Sequence, residues 1–259
     1  MRSMRIRWVR NVLVAPAIAS AAVWLATATQ AAANNLDGDK IATGDGDLVI
    51  HPINHATFVT GWNGKTIYVD PVGGPKRFDG LPKPDLILVT DIHGDHHDNG
   101  TLEAVATDKA ALIAPAAVTE KLAEKLRKQT TVLANGETKT VIGVNIEAVP
   151  MYNLTADRLK FHTKGRGNGY VITLGGKRIY ISGDTEDIPE MRALKNIDVA
   201  FVCMNLPYTM TVEQAASAVR AFKPKIVYPY HYRGSDTEEF KQLVGSDSGV
   251  EVRLRDWYK

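Results

Sequence analysis

Short apolar runs alternate with turn residues and with helix-spaced segments along most of this chain. Residues 56–59 and 66–69 read as strands on either side of Trp62-Asn63-Gly64-Lys65, and Asn63-Gly64 is a strong hairpin turn signal. Residues 86–89, Leu-Ile-Leu-Val, are apolar without interruption and read as a buried strand. In residues 116–128, Val118, Leu122 and Leu126 recur at helical spacing with charged residues between them, which predicts one helix. Residues 138–142 and 144–149 are strands around Gly143, and residues 169–174 and 178–182 form a hairpin across Gly175-Gly176. A short helix is expected over 188–194. A longer one begins at Thr211, with Glu213 in its first turn and Val212, Ala215, Ala216, Val219 and Phe222 on one face. Residues 225–228 are a short buried strand, 236–244 a last helix, and the Pro/Gly-rich segment 72–84 a long loop of the kind that is often functional. Hairpins recur on both sides of the chain's middle with helices between them. That order predicts an α/β (α+β type) domain of two mixed sheets packed face to face with helices outside, rather than a doubly wound parallel sheet.

The first 33 residues follow another pattern. Arg2, Arg5, Arg7 and Arg10 form a basic head, residues 11–25 are apolar and Ala-rich with a break at Pro16, and Ala31-Ala32-Ala33 precedes Asn34. This is the order of a secretory signal peptide, with cleavage expected near Ala33; the rival reading is an uncleaved anchor, for which the run is short. Residues 1–33 would be the signal peptide and 34–259 the domain, a periplasmic or secreted protein with no stable membrane anchor after cleavage. Removal of that segment changes the charge. It holds four Arg and no acid, so 27 basic residues then face 29 acidic ones and the formal charge moves from +2 to −2. A slightly acidic surface gives no general attraction for nucleic acid, and none is expected as a partner. Cys203 is the single cysteine, cannot form an internal disulfide, and lies in the apolar run 199–204, where an inert buried thiol is expected.

The chemistry concentrates in Thr-Asp-Ile-His-Gly-Asp-His-His-Asp, residues 90–98. Three imidazoles (His93, His96, His97) and three carboxylates (Asp91, Asp95, Asp98) follow directly on the strand 86–89, so they sit where a strand gives way to a loop. So many ionisable groups on one short turn cannot be buried without paired charge or a metal. A dinuclear metal site is the economical way to satisfy them, and the bland alternative is a solvated polar loop. Further ligands would have to come from elsewhere. His162 lies before the strand at Gly169, Asp184 lies in Ser182-Gly183-Asp184-Thr185 at a strand end, and His231 follows the strand 225–228.

This set resembles the metallo-β-lactamase superfamily, whose first motif reads H-x-H-x-D-H and is followed by a distal His, a Gly-Asp pair and a final His. Within it the chain looks most like the group containing ascorbate-6-phosphate lactonase and the N-acyl-phosphatidylethanolamine phospholipases D. The shared residues are Asn54-His55-Ala56-Thr57, Asp70-Pro71, Gly183-Asp184-Thr185 and Pro229-Tyr230-His231. The resemblance implies a four-layer αββα sandwich and two divalent ions, Zn or Mn, with Fe also compatible. One ion would take His93 and His162, with Asp91 at the place of the first motif His; the other would take Asp95, His96 and His231, with Asp184 between them. Asp91 is the departure. Its oxygen shifts preference toward Mn²⁺ or Fe²⁺, weakens that site until one ion suffices, or acts only to orient a His.

The chemistry so implied is hydrolysis of a small ester, lactone or phosphodiester by metal-activated water, with Asp95 and Asp184 as the catalytic carboxylates. A phospholipase-D-like phosphodiesterase with a hydrophobic groove is the alternative. A β-lactamase and a non-catalytic metal-binding protein rank lower. Asp98 is expected to hold a ligand His through its second ring nitrogen, His97 to pack or rim the pocket, and His55 to act behind the ligands or to pack. The pocket is expected from residues 72–81, 152–168 and 206–211. Lys160, Lys164 and Arg166 would seat an anionic group or form a solvated basic loop, and Tyr208 and Tyr232 would line the pocket or pack in the core.

Overall fold

The first half of the domain folds as β1 (Asp39–Thr43), β2 (Gly46–Asn54), β3 (Thr57–Trp62), β4 (Lys65–Val69), β5 (Leu86–Leu88), α1 (Asn99–Val105), β6 (Ala111–Ala114), α2 (Ala116–Thr119), α3 (Glu124–Lys128) and β7 (Thr130–Val132). The second half runs β8 (Thr138–Val141), β9 (Val144–Met151), β10 (Gly167–Leu174), β11 (Lys177–Ile181), α4 (Pro189–Arg192), β12 (Val199–Cys203), α5 (Val212–Phe222), β13 (Ile226–Tyr230), α6 (Thr237–Val244) and β14 (Glu251–Val252). These elements come from a computed structural model that describes Met1 and residues 36–258; apart from Met1, the expected leader, 1–33, lies outside the described residues.

Each half makes one seven-stranded sheet, in the orders β1-β2-β3-β4-β5-β6-β7 and β14-β13-β12-β11-β10-β9-β8. Both use the same plan. Strands β1 to β4 and β8 to β11 are antiparallel meanders. Strands β4 to β7 and β11 to β14 are then parallel, which requires crossover connections, and all but the β4–β5 link carry the helices. Two sheets with helices outside each give the four layers expected from the pattern of hairpins and helices.

Strand alternation shows why the apolar runs are continuous. Ile67 and Val69 of β4 and Leu86 and Leu88 of β5 face the space between the sheets. Their neighbours Tyr68, Ile87 and Val89 face outward onto Leu102, Val118, Leu122 and Leu126 of the first helix layer. A strand covered on both faces has no polar side. The sheets meet on aromatic rings: Phe58 of β3 stacks on Phe201 of β12 at 4.3 Å, and Trp257 sits edge-on to Phe58 at 5.8 Å. Cys203 closes β12, fully buried with its Sγ 3.4 Å from the Thr185 carbonyl, and burial pushes its thiol up to about 12.

Three local expectations change. The helix expected over residues 116–128 is two helices, α2 and α3, although Val118, Leu122 and Leu126 all stay buried on one side. The break is taken up by Asn99, whose side-chain amide donates to the Lys121 carbonyl at 2.9 Å and accepts from the Ala123 N–H at 3.1 Å. The segment 72–84 contains a 3₁₀ turn, Pro75–Phe78, whose Phe78 stacks on Tyr68 at 5.1 Å. Finally, β1 has only Ile41 buried, too faint a pattern to announce a strand.

Asn99→Ala is expected to lower stability by ~1 kcal/mol through the loss of this two-bond clip. Urea unfolding of the variant against the parent checks it, with no change in m.

Candidate metal centre

The C-terminal ends of the parallel strands of both sheets converge on one cluster. Asp70 follows β4; Asp91, His93, Asp95 and His96 follow β5; Asp184 follows β11; His231 follows β13; and His162 comes from the connection between β9 and β10. His55 enters from the turn between β2 and β3. All seven residues singled out for metal binding, Asp91, His93, Asp95, His96, His162, Asp184 and His231, are thus brought together.

Asp184 is the hub. It is 3% exposed, with Oδ2 at 3.2 Å from His162 Nε2 and 3.3 Å from His96 Nε2, and Oδ1 at 3.3 Å from His231 Nε2. Asp95 Oδ2 lies 3.3 Å from both His231 Nε2 and His55 Nε2, and its side chain, 43% exposed, is the carboxylate that faces the cleft. On the other side Asp91 Oδ2 lies 2.6 Å from His93 Nδ1 and 3.9 Å from His162 Nε2. Three groups of donor atoms therefore lie close enough to hold a cation: Asp91-His93-His162, His96-Asp184-His231, and His55-Asp95-His231.

The outer ring nitrogens decide what the inner ones can do. His96 Nδ1 lies 2.8 Å from Asp70 Oδ2, and His162 Nδ1 lies 3.2 Å from the Tyr208 carbonyl. Both outer nitrogens face acceptors and must carry the ring proton, so the neutral ring turns an Nε2 lone pair toward Asp184. Those two Nε2 atoms and Asp184 Oδ1 are buried without a hydrogen-bond partner. Lone pair facing carboxylate is repulsive unless a cation or a further proton lies between them. The donor set fits a divalent metal.

The charges agree. Burial pushes the Asp184 carboxyl up, but the His231, His96 and His162 rings outweigh it and hold it well below the ordinary range. Burial likewise opposes a charge on His96, and the Asp184 and Asp70 carboxylates overturn that and raise its pKa well above the ordinary value. Asp95 is lowered, with burial opposed by hydrogen bonds from His231 and His55.

The backbone is bent to serve the cluster. His55, Asp70 and His231 have φ of 54°, 45° and 48°, the left-handed region that non-glycine residues rarely enter and that concentrates at functional sites. Gly183 has φ 59°, and a Cβ there would meet Met151 Sδ at 2.6 Å, so only glycine lets Asp184 approach. Asp70 was not expected to hold a ligand His. Its Oδ1 accepts from the Thr90 N–H and its Oδ2 from the Thr90 hydroxyl, both at 2.7 Å, which fixes it against His96. The Asp70-Pro71 pair at a strand end was the available signal. Asp98, expected in that role, instead caps α1 by accepting from the Gly100 N–H at 2.9 Å and the Thr101 hydroxyl at 2.5 Å.

A family profile described as the beta-lactamase superfamily domain matches residues 49–231, a span that holds the whole cluster. This chain belongs to the metallo-β-lactamase superfamily. A UPF0173 metal-dependent hydrolase of Pyrococcus abyssi is 35% identical over 218 residues, covering 77% of this chain and 93% of that one. A solved structure from Parabacteroides distasonis, assigned to the metal-dependent hydrolases, is 44% identical with a TM-score of 0.79 and covers 86% of this chain and 99% of its own. The metallo hydrolase Igni18 from Ignicoccus hospitalis, at 24% identity and a TM-score of 0.68, shares the fold. The chain is a metal-dependent hydrolase of this superfamily, and its fold is the superfamily's sandwich.

The cluster lies at the floor of a cleft of about 610 Å³. Of the expected pocket segments, residues 152–168 contribute Phe161 and His162, and residues 206–211 contribute Leu206, Pro207 and Tyr208. Residues 72–81 do not line it, because Phe78 anchors them to the outer core. The basic loop is also spent elsewhere. Lys164 pairs with Glu190 at 2.8 Å, Arg166 reaches Asp91 at 3.3 Å and the Phe161 carbonyl, and Lys160 lies over the Phe161 ring at 5.1 Å. Tyr232 faces Tyr258 and donates to the Arg255 carbonyl at 3.2 Å, away from the cleft. Asn205 and Arg233, neither of which the motif pattern marked, do line it.

Asp70→Asn is expected to weaken divalent-metal binding about 10–100-fold, since the partner that fixes His96 is lost. Asp98→Asn keeps a capping side chain and should change it less than threefold. Competition against a chromophoric chelator measures both.

Proposed function

We propose that this metal-dependent hydrolase acts on a small ester, lactone or phosphodiester, within the lactonase-like branch of its superfamily, after export directed by residues 1–33. The observation that carries the reading is the pair of imidazole nitrogens, His96 Nε2 and His162 Nε2, turned on the buried Asp184 with their outer nitrogens already committed. In this reading His93, His162 and Asp91 would hold one ion and Asp95, His96 and His231 a second, with Asp184 available to both. A divalent ion bound there supplies Lewis acidity toward the scissile group and lowers the pKa of water.

The protein's own groups do the rest. Asp95 is the carboxylate of the cluster open to the cleft, so it orients the attacking water and accepts its proton. Asp184 balances the positive charge of the centre from below. Arg166 shares the oxygens of Asp91 and offsets part of its charge, which makes the Asp91-His93-His162 group the weaker of the two sites. A carboxylate in place of an imidazole also favours Mn²⁺ or Fe²⁺ over Zn²⁺.

A second reading, a phospholipase-D-like phosphodiesterase, is favoured by one observation. Leu206 and Tyr208 are 48% and 44% exposed on the cleft wall, and Leu154 and Leu159, at 50% and 48%, lie on the connection that leads to it. Such a rim suits an acyl chain.

Metal-loaded protein is expected to cleave at least one member of an ester, lactone and phosphodiester panel. Asp184→Asn should lower kcat/KM at least ~10³-fold by removing the charge that the three imidazoles face. A loaded protein that cleaves none, or Asp184→Asn at full activity, sinks the reading. For the metal, Asp91→His is expected to shift relative affinity toward Zn²⁺ over Mn²⁺ by roughly tenfold or more. Elemental analysis after dialysis against an equimolar mixture reads this out, and an unchanged ratio removes Asp91 from the ligand set.

A further inference from the structure

Arg233 stands two residues beyond His231, exposed, on the wall of the metal cleft. Among the described residues it is the permanent cation that lines this cleft; the other ionisable side chains there include imidazoles and carboxylates of the cluster. Elsewhere the arginines near the site are engaged. Arg158 reaches Glu186 at 2.9 Å and Arg166 reaches Asp91 at 3.3 Å. Among the described residues no carboxylate forms an ion pair with Arg233.

It lies instead over an aromatic ring. The guanidinium carbon lies 5.8 Å from the centre of the Tyr258 ring. That ring is pinned through its hydroxyl, which accepts from the Tyr232 N–H at 3.0 Å and lies 2.7 Å from His55 Nδ1. A guanidinium resting on an aromatic face keeps its in-plane N–H groups free to donate. The same cleft is lined by apolar side chains: Leu206, and Tyr208 packed edge-on to Phe161 at 5.0 Å. The side-chain amide of Asn205 adds a neutral polar group to the lining.

We propose that Arg233 is a specificity-determining residue, and that the substrate carries, apart from its scissile bond, a carboxylate or phosphate that this guanidinium binds. The proposal rests on the hydrolase reading above and narrows it to anionic substrates. One end of the substrate meets Arg233, the scissile group meets the cluster, and the apolar part lies against Leu206 and Tyr208. A planar donor fork on an oxyanion makes a charge-assisted bidentate contact, so its loss should cost binding roughly 10–100-fold.

The test compares two aryl esters with one leaving group, p-nitrophenyl acetate and mono-p-nitrophenyl succinate, on metal-loaded protein. In Arg233→Met the ratio of kcat/KM for the anionic ester to that for the neutral one should fall about 10–100-fold, mainly through KM, with metal content unchanged. Arg233→Lys should recover part of it. Lys164→Met, whose ammonium is tied to Glu190, should keep the parent ratio. Calorimetry of succinate and of glycerol 3-phosphate on the same proteins needs no turnover. The anion whose affinity falls further in Arg233→Met identifies the group bound. A ratio that stays within twofold, equal affinities in parent and variant, or no binding of either anion to the parent overturns the proposal. If neither ester is cleaved while Arg233→Met still loses anion binding, the ester reading fails and the anion site stands.

Discussion

A carboxylate almost wholly buried must have its charge answered, and the rest of this molecule is arranged around doing so for Asp184. Its oxygens face three imidazoles from three separate segments, His96, His162 and His231. Each ring is held from behind or beside: His96 by Asp70, His162 by the Tyr208 carbonyl, and His231 by stacking on His55 at 3.7 Å. Remove the central charge and these supports have nothing to converge on. The cost of burying so many polar groups is the reason they are tied down so completely.

The sandwich makes that convergence possible. In each sheet a meander turns into parallel strands, and parallel strands end on the same side. Because both sheets do this, the ends of β4 and β5 in one face the ends of β11, β12 and β13 in the other. Residues far apart in sequence, such as Asp95 and His231, then meet. The left-handed backbone at His55, Asp70 and His231 shows that strand direction alone does not finish the aim of these side chains. The last adjustment is made by local strain that the packed strands on either side can bear.

Much of this was legible from the chain. Residues 86–89 followed by the His/Asp run announced a strand end rich in ligands, and Gly183-Asp184 and Tyr230-His231 could be matched to it by family pattern. The two-sheet arrangement followed from hairpins at Asn63-Gly64 and Gly175-Gly176. What stayed hidden depended on distance in three dimensions. Nothing near Asp70 says that it lies against His96, and Asp98 looked the better partner because it is close in sequence. The break in the helix over residues 116–128 comes from Asn99, a side chain outside that window. Lys164 and Arg166 read as free charge because their partners, Glu190 and Asp91, lie 26 and 75 residues away.

The end of the chain has a share in the centre that its position does not suggest. Trp257 is fully buried against Phe58, Phe201 and Tyr230, and its carbonyl accepts from the His55 N–H at 3.0 Å. Tyr258 then meets His55 Nδ1 and carries Arg233. Two consecutive residues therefore lock a turn some two hundred positions earlier and furnish the platform for a cleft residue. Docking of this tail is therefore coupled to order in the cleft: whatever steadies His55 slows the fraying of the tail, and whatever trims the tail loosens His55 and Arg233 together.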